Sequence, residues 1–254
     1  MRTLAWLLLG AGALYALACI ALFLSQRSLI FYPQPRRFGR EATIMKLLVD
    51  NTQLNVTTRQ LEVPQAVIYF GGNAEDVSGS LPDLAAAFPD HALYLMHYRG
   101  YGGSAGKPSE KALLADALAL FDQVRAHHPK VTVIGRSLGS GVAVYLASAR
   151  PVARLVLVTP YDSMAELAAQ QFPLFPVRWL MTDKFESWRH APHISAPTTL
   201  IAAENDEVIP RASTELLHTR FTPGVARQVM IVATGHNTVS GAPEYARTLA
   251  ADGR

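Results

Sequence analysis

The sequence predicts an α/β fold with a mostly parallel sheet covered by helices on both faces, preceded by one apolar N-terminal helix. Three observations lead there. Between residues 66 and 232, short continuous apolar runs alternate with longer amphipathic ones, as in strands buried on both sides and joined by crossover helices. The runs are closed by Gly-, Pro- and Asn-containing turns, which break regular structure. Leu4 to Leu24 carries no charge.

Composition narrows the class further. With 254 residues, 50% of them hydrophobic and 17% charged, the chain can bury the core of one α/β domain, and disorder is excluded. Lys and Arg total 23 against 20 Asp and Glu, and no basic stripe with interleaved aromatics occurs, so no nucleic-acid partner is expected. Cys19 is the single cysteine, which excludes a disulfide scaffold. No Cys/His run has zinc spacing, and no metal is expected.

The first segment, residues 1–26, reads as a membrane anchor. A helix over Leu4 to Leu24 rises about 1.5 Å per residue and so reaches roughly 30 Å, the thickness of a bilayer's hydrocarbon core. A cleaved signal peptide is the alternative, with an apolar region of only about 7–15 residues. A lipoprotein signal at Cys19 fits less well, because leucine stands two positions before it in Ala16-Leu17-Ala18. Only Arg2 precedes the span, whereas Arg27, Arg36, Arg37 and Arg40 follow it. The positive-inside rule thus points the following domain to the cytoplasm, but large domains are exported despite such a bias, and the side of the membrane stays open.

Residues 27–254 form the second unit. Leu47-Leu48-Val49 and Leu54 to Leu61 read as an antiparallel edge within residues 46–63. Parallel strands follow at 66–70, 92–96, 131–134, 155–158, 199–202 and 228–232. Helices are expected around Leu84 to Phe88, from a Ser109 cap through Phe121, over Leu138 to Ala149, and from about Arg211 to Arg220. Residues 163–197 break the rhythm with Phe172, Phe175, Trp179 and Trp188. That insertion is either an aromatic cap over a cleft or an excursion packed back on the core.

The chemistry centres on Gly135-Arg136-Ser137-Leu138-Gly139, between an expected strand and helix. There a Gly-x-Ser-x-Gly turn presents its serine as a nucleophile on strained backbone. A serine hydroxyl needs a base. Of eight histidines, His236 follows the last strand at the sheet edge where Ser137 emerges. His97, also after a strand, is its competitor. Asp206 follows the 199–202 strand and suits the carboxylate that orients the imidazole, with Asp162 as runner-up and Glu204 and Glu207 as solvated neighbours. Backbone N–H groups of Leu138 and Asn73 are the expected oxyanion donors. The order Ser137, Asp206, His236 is that of α/β-hydrolases.

At these residues the chain resembles the α/β-hydrolase superfamily, and more narrowly a membrane-anchored branch with the yeast bud-emergence-related proteins and mammalian protein depalmitoylases. The resemblance rests on Ser28-Leu29-Ile30-Phe31-Tyr32-Pro33, Gly72-Asn73-Ala74, Tyr98 to Ser104, Pro108-Ser109-Glu110, the Ser137 turn, Asp206 to Pro210 and Gly235-His236-Asn237. It implies an eight-stranded sheet, no cofactor, and cleavage of an ester, thioester or amide through an acyl-enzyme. Two departures stand out: Gly71 where relatives carry histidine, and Arg136 where they carry a small residue. Arg136 is expected to face solvent or a polar part of the substrate. The expected function is therefore a membrane-tethered serine hydrolase of lipid-like or small acyl esters or thioesters. The alternatives are a peptidase or amidase using the same residues, and a catalytically silent anchored binding module.

Overall fold

The computed structural model describes residues 2–37 and 43–251; Arg40 lies outside them. Helix α1 (Arg2–Ile30) has no buried residue and contains an 18-residue window of mean hydropathy 2.4. It is long and apolar enough to cross a membrane, as an N-terminal signal sequence also can be.

Strands β1 (Thr43–Val49) and β2 (Thr52–Arg59) form the expected hairpin. Asp50 and Asn51 turn it with φ of 47° and 58°; two successive positive φ values match the twist of the flanking strands. The rest alternates as β3 (Gln65–Phe70), α2 (Leu81–Ala87), β4 (Ala92–Met96), α3 (Glu110–Arg125), β5 (Lys130–Arg136), α4 (Leu138–Ala149) and β6 (Arg154–Val158). Helices α5 (Met164–Gln171), α6 (Val177–Leu180) and α7 (Ser187–His190) then intervene before β7 (Thr198–Ala203), α8 (Arg211–Arg220), β8 (Ala226–Ile231) and α9 (Pro243–Ala250).

The eight strands lie in the order β1-β2-β4-β3-β5-β6-β7-β8. β2 meets both of its neighbours antiparallel, and the other pairs are parallel. Alternation along β3 shows why both faces are covered. Ile68 and Phe70 join a core with Leu113 of α3 and Val142 of α4, while Val67 and Tyr69 join a second core with Leu84 of α2 and Leu249 of α9.

Most strand limits fall within two or three residues of expectation, and the differences follow the ladder. β5 runs on to Arg136 because Arg136 pairs with Val158. β8 stops at Ile231, opposite Ala203, and Val232 is 66% exposed. Ser109 caps α3, accepting a hydrogen bond from the Ala112 N–H at 3.3 Å. Helix α9 was not expected. Its signal was Pro243 at the first turn with Tyr245 and Leu249 four apart and buried, which is short for a periodicity reading. The 163–197 insertion divides between its two readings. Leu167, Phe172 and Phe175 line a cavity, whereas Phe185, Ala191 and Ile194 pack into the core.

Candidate active site

β5 ends at Arg136 and α4 begins at Leu138, leaving Ser137 alone on the turn with φ 48° and ψ −117°. This left-handed backbone is costly for a side-chain-bearing residue and persists only where neighbours hold it. The Ser137 N–H donates to Val158 O at 2.9 Å, and its carbonyl accepts from Ser140 N–H at 2.8 Å and Ser140 Oγ at 2.6 Å. The turn also needs a close approach: a Cβ at Gly139 would fall on the carbonyl oxygens of Phe70 and Gly71.

The loop after β8 brings His236 to this turn. Its Nε2 lies 3.0 Å from Ser137 Oγ, and its Nδ1 lies 2.9 and 3.0 Å from the two carboxylate oxygens of Asp206, which follows β7. An ionised carboxylate only accepts, so Nδ1 carries the proton and Nε2 faces the hydroxyl as an acceptor. Burial pushes the Asp206 carboxyl upward. Hydrogen bonds from His236, Ile209 N–H and Val208 N–H outweigh it and leave the carboxyl below its ordinary range. The two N–H groups stand 2.7 and 2.9 Å from Oδ1 and fix the carboxylate's orientation.

The competitors are occupied elsewhere. His97 is 1% exposed, and its Nε2 lies 2.8 Å from Thr57 Oγ1. Asp162 accepts from Arg220 Nε at 3.4 Å. Glu207 is exposed, as expected of a solvated neighbour, and its Oε2 also accepts the His236 N–H at 3.0 Å and so holds the histidine's backbone. Glu204 likewise accepts the Ala233 N–H at 2.8 Å.

On the other side of Ser137 stands the loop after β3. The Gly72 N–H is committed to Glu75 Oε2 at 2.6 Å, which leaves Asn73 as the next amide. The Asn73 side chain anchors that loop, donating to Ile30 O at 2.6 Å and accepting from Tyr32 N–H and Tyr101 OH at 3.0 and 2.9 Å. Leu138 opens α4, where the first N–H groups have no intrahelical acceptor. The missing histidine at Gly71 has a local reason: a Cβ there would fall on Val77 Cγ1.

Arg136 corrects the sequence expectation. Its side chain is only 14% exposed and pairs with Glu75 at 3.1 Å, so it faces neither open solvent nor the cavity. A residue's neighbours across loops cannot be read from its strand position.

Ser137, Leu138 and Asn73 border one cavity of about 360 Å³, a size ordinary for a small-molecule site. Its walls are mostly apolar side chains, among them Leu167, Phe172 and Phe175 of the insertion and Leu22, Phe23 and Ile30 of α1, with Gln26, Gln170 and Gln171 beside them. Among the described residues, no group of three or more His, Cys, Asp or Glu is placed to hold a metal.

The strand order and the serine turn between β5 and α4 define an α/β-hydrolase fold, and a family model for that fold matches residues 66–186. The chain belongs to the α/β-hydrolase superfamily. It is similar to an uncharacterized protein of Mycobacterium tuberculosis, 38% identical over 68% of this chain and 63% of that one. The lysophosphatidylserine lipase ABHD12 of Mus musculus is 31% identical over 57% of this chain and 42% of its own length. Protein bem46 of Schizosaccharomyces pombe is 26% identical over 85% and 79%. The chain thus spans about 63% of the length of the mycobacterial relative and less than half of the lipase. Among solved structures, Est1E of Butyrivibrio proteoclasticus with bound ferulic acid shares the fold at 13% identity, with a TM-score of 0.67 over 81% of this chain and 96% of that one.

Proposed function

We propose that this protein is a membrane-tethered serine hydrolase that cleaves carboxylic esters or thioesters through an acyl-enzyme. The reading is carried by one observation: the hydrogen-bonded line from Ser137 Oγ through His236 to Asp206, at 3.0 and 2.9 Å, bordering an apolar cavity.

In this reading Ser137 Oγ bonds to the substrate carbonyl carbon as its proton passes to His236 Nε2. Asp206 holds the ring and stabilises the imidazolium that forms. The Asn73 and Leu138 N–H groups bind the oxyanion, each such donor being worth about 3 kcal/mol in comparable sites. The carbon–oxygen or carbon–sulfur bond breaks, and Nε2 returns the proton to the leaving group. Water then gives its proton to Nε2 and attacks the acyl-enzyme, releasing the acid and free serine. An ester specificity agrees with the lipase name of the ABHD12 relative. An apolar cavity suits an acyl chain better than a peptide, whose backbone needs polar partners. Residues 1–26 supply the tether and 27–254 the hydrolase unit, with the part of the 163–197 insertion from Met164 to Met181 as its cap.

Labelling by a fluorophosphonate probe and turnover of p-nitrophenyl butyrate test the assignment. Both are expected of the wild type and absent from Ser137→Ala. A Ser137→Ala protein that labels and turns over as the wild type does ends it.

A further inference from the structure

The wall of the cavity contributed by α1 makes the helix more than a leash. It is fastened to the insertion from Tyr15 near its middle to Arg27 near its end. Tyr15 OH donates to Leu174 O at 2.9 Å, and the Tyr15 ring stacks on Phe175 at 5.8 Å with an interplanar angle of 2°. Further on, Gln26 Oε1 accepts from Thr182 N–H and Oγ1 at 2.7 and 2.9 Å, and Arg27 pairs with Asp183 at 2.9 Å.

The height of these contacts along α1 has a physical consequence. Tyr15 lies nine residues before Leu24, the end of the uncharged run, which is about 13 Å of helix. A hydrocarbon leaflet is roughly 15 Å deep, half of the core thickness. A helix that spans with an ordinary tilt therefore carries the segment around Leu174 and Phe175 down among the acyl chains.

That segment has the composition to go there. Leu167 to Val177 contains no charge. Leu174 and Trp179 are 80% and 88% exposed, far more than large apolar groups in a watery surface need be. The nearest charges, Glu166 and Arg178, neutralise each other through two hydrogen bonds of 2.7 Å. Trp179 beside them suits the interfacial level where aromatic residues concentrate.

We propose that the segment from Phe172 to Trp179 lies in the same bilayer leaflet as the C-terminal half of α1, and that long-chain acyl lipids enter the Ser137 cavity laterally from that leaflet, between α1 and the insertion. Leu22 and Phe23 on one side and Phe172 and Phe175 on the other line the cavity, so a chain entering between them meets apolar surface rather than water. The substrate class is a lipid with one long acyl ester or thioester whose reacting carbonyl sits near the headgroup. This rests on the hydrolase reading of Ser137.

The test uses the full chain reconstituted in phosphatidylcholine vesicles. A Cys19→Ser/Leu174→Cys protein labelled with an environment-sensitive nitrobenzoxadiazole fluorophore reports depth without any catalysis. Quenching by nitroxides on the acyl chains and protection from aqueous iodide are expected; quenching by iodide alone overturns the proposal. A second arm compares p-nitrophenyl palmitate dissolved in the vesicles with water-soluble p-nitrophenyl acetate. Leu174 and Trp179 do not line the cavity, so Leu174→Asp/Trp179→Asp leaves acetate turnover and fluorophosphonate labelling unchanged. It lowers palmitate turnover at least about tenfold, given the cost of burying a charge in a bilayer. Equal palmitate rates in variant and wild type overturn lateral entry. A wild type that neither labels nor turns over acetate refutes the hydrolase reading instead, while the fluorophore still decides the depth.

Discussion

Arg136 and Glu75 form an ion pair at 3.1 Å with side chains only 14% and 11% exposed, immediately behind the candidate nucleophile. Glu75 Oε2 also accepts the Gly72 N–H at 2.6 Å, and Arg136 Nη2 donates to Asn237 Oδ1 at 3.1 Å and to His236 O at 3.4 Å. The residue beside Ser137 thereby joins the loop of Asn73 to the loop of His236. The Glu75 carboxylate takes further hydrogen bonds from Tyr69 OH and Ser80 Oγ, both at 2.8 Å.

Removing one partner of such a pair leaves the other charge buried. Arg136→Ala is expected to lower stability by about 3–5 kcal/mol and to reduce kcat with little change in KM, because it loosens two loops without touching the cavity wall. Arg136→Lys restores charge but not the forked reach to Glu75 and Asn237, so it recovers stability in part and kcat less. Wild-type unfolding and kcat in Arg136→Ala would show that the pair is only surface decoration.

Asp206→Asn keeps an oxygen that can accept the Val208 and Ile209 N–H groups, so the loop should persist and Tm should hold. The amide stabilises the wrong imidazole tautomer and cannot neutralise an imidazolium. A loss in kcat of about ten-thousand-fold is expected, the scale known for the equivalent change in a serine protease. A loss of less than about tenfold transfers the orienting role to another carboxylate.

Acid stability should depend on His97. Burial chiefly drives its pKa down from 6.5 to about 4, with Asp76 pulling it up and Arg36 pushing it down. The unfolded chain therefore binds a proton below pH 6.5 that the folded chain refuses until about pH 4. This contribution to stability is whole above pH 6.5 and is lost as the pH falls toward 4. By linkage the loss is about 2 kcal/mol at pH 5, or about 4–8 °C in Tm for a domain of this size. Thermal unfolding at pH 7 and pH 5 measures it. His97→Gln should flatten the difference, and a wild type whose Tm is as high at pH 5 as at pH 7 contradicts it.

How much was legible in the sequence differs by element. α4 and α8 fall where periodicity and flanking turns placed them, and β4 matches residue for residue. Ser137, Asp206 and His236 were legible because each follows a strand, and strand ends of a parallel sheet share one edge. Glu207 and Arg136 were not. Their partners, His236 and Glu75, lie 29 and 61 residues away and carry no local signature. Helix α9 was missed because only two of its side chains are buried.

The sequence alone determined the alternation of strands and helices, the turn that isolates Ser137 and the apolar character of α1. Those features come from backbone preferences and hydrophobic spacing within a few residues. Tertiary structure decided that β4 sits between β2 and β3, that Arg136 turns inward, and that α1 forms a wall of the cavity. Each of these depends on which distant groups desolvate together. Buried polar groups must find partners wherever the chain brings them, and no local pattern encodes that choice.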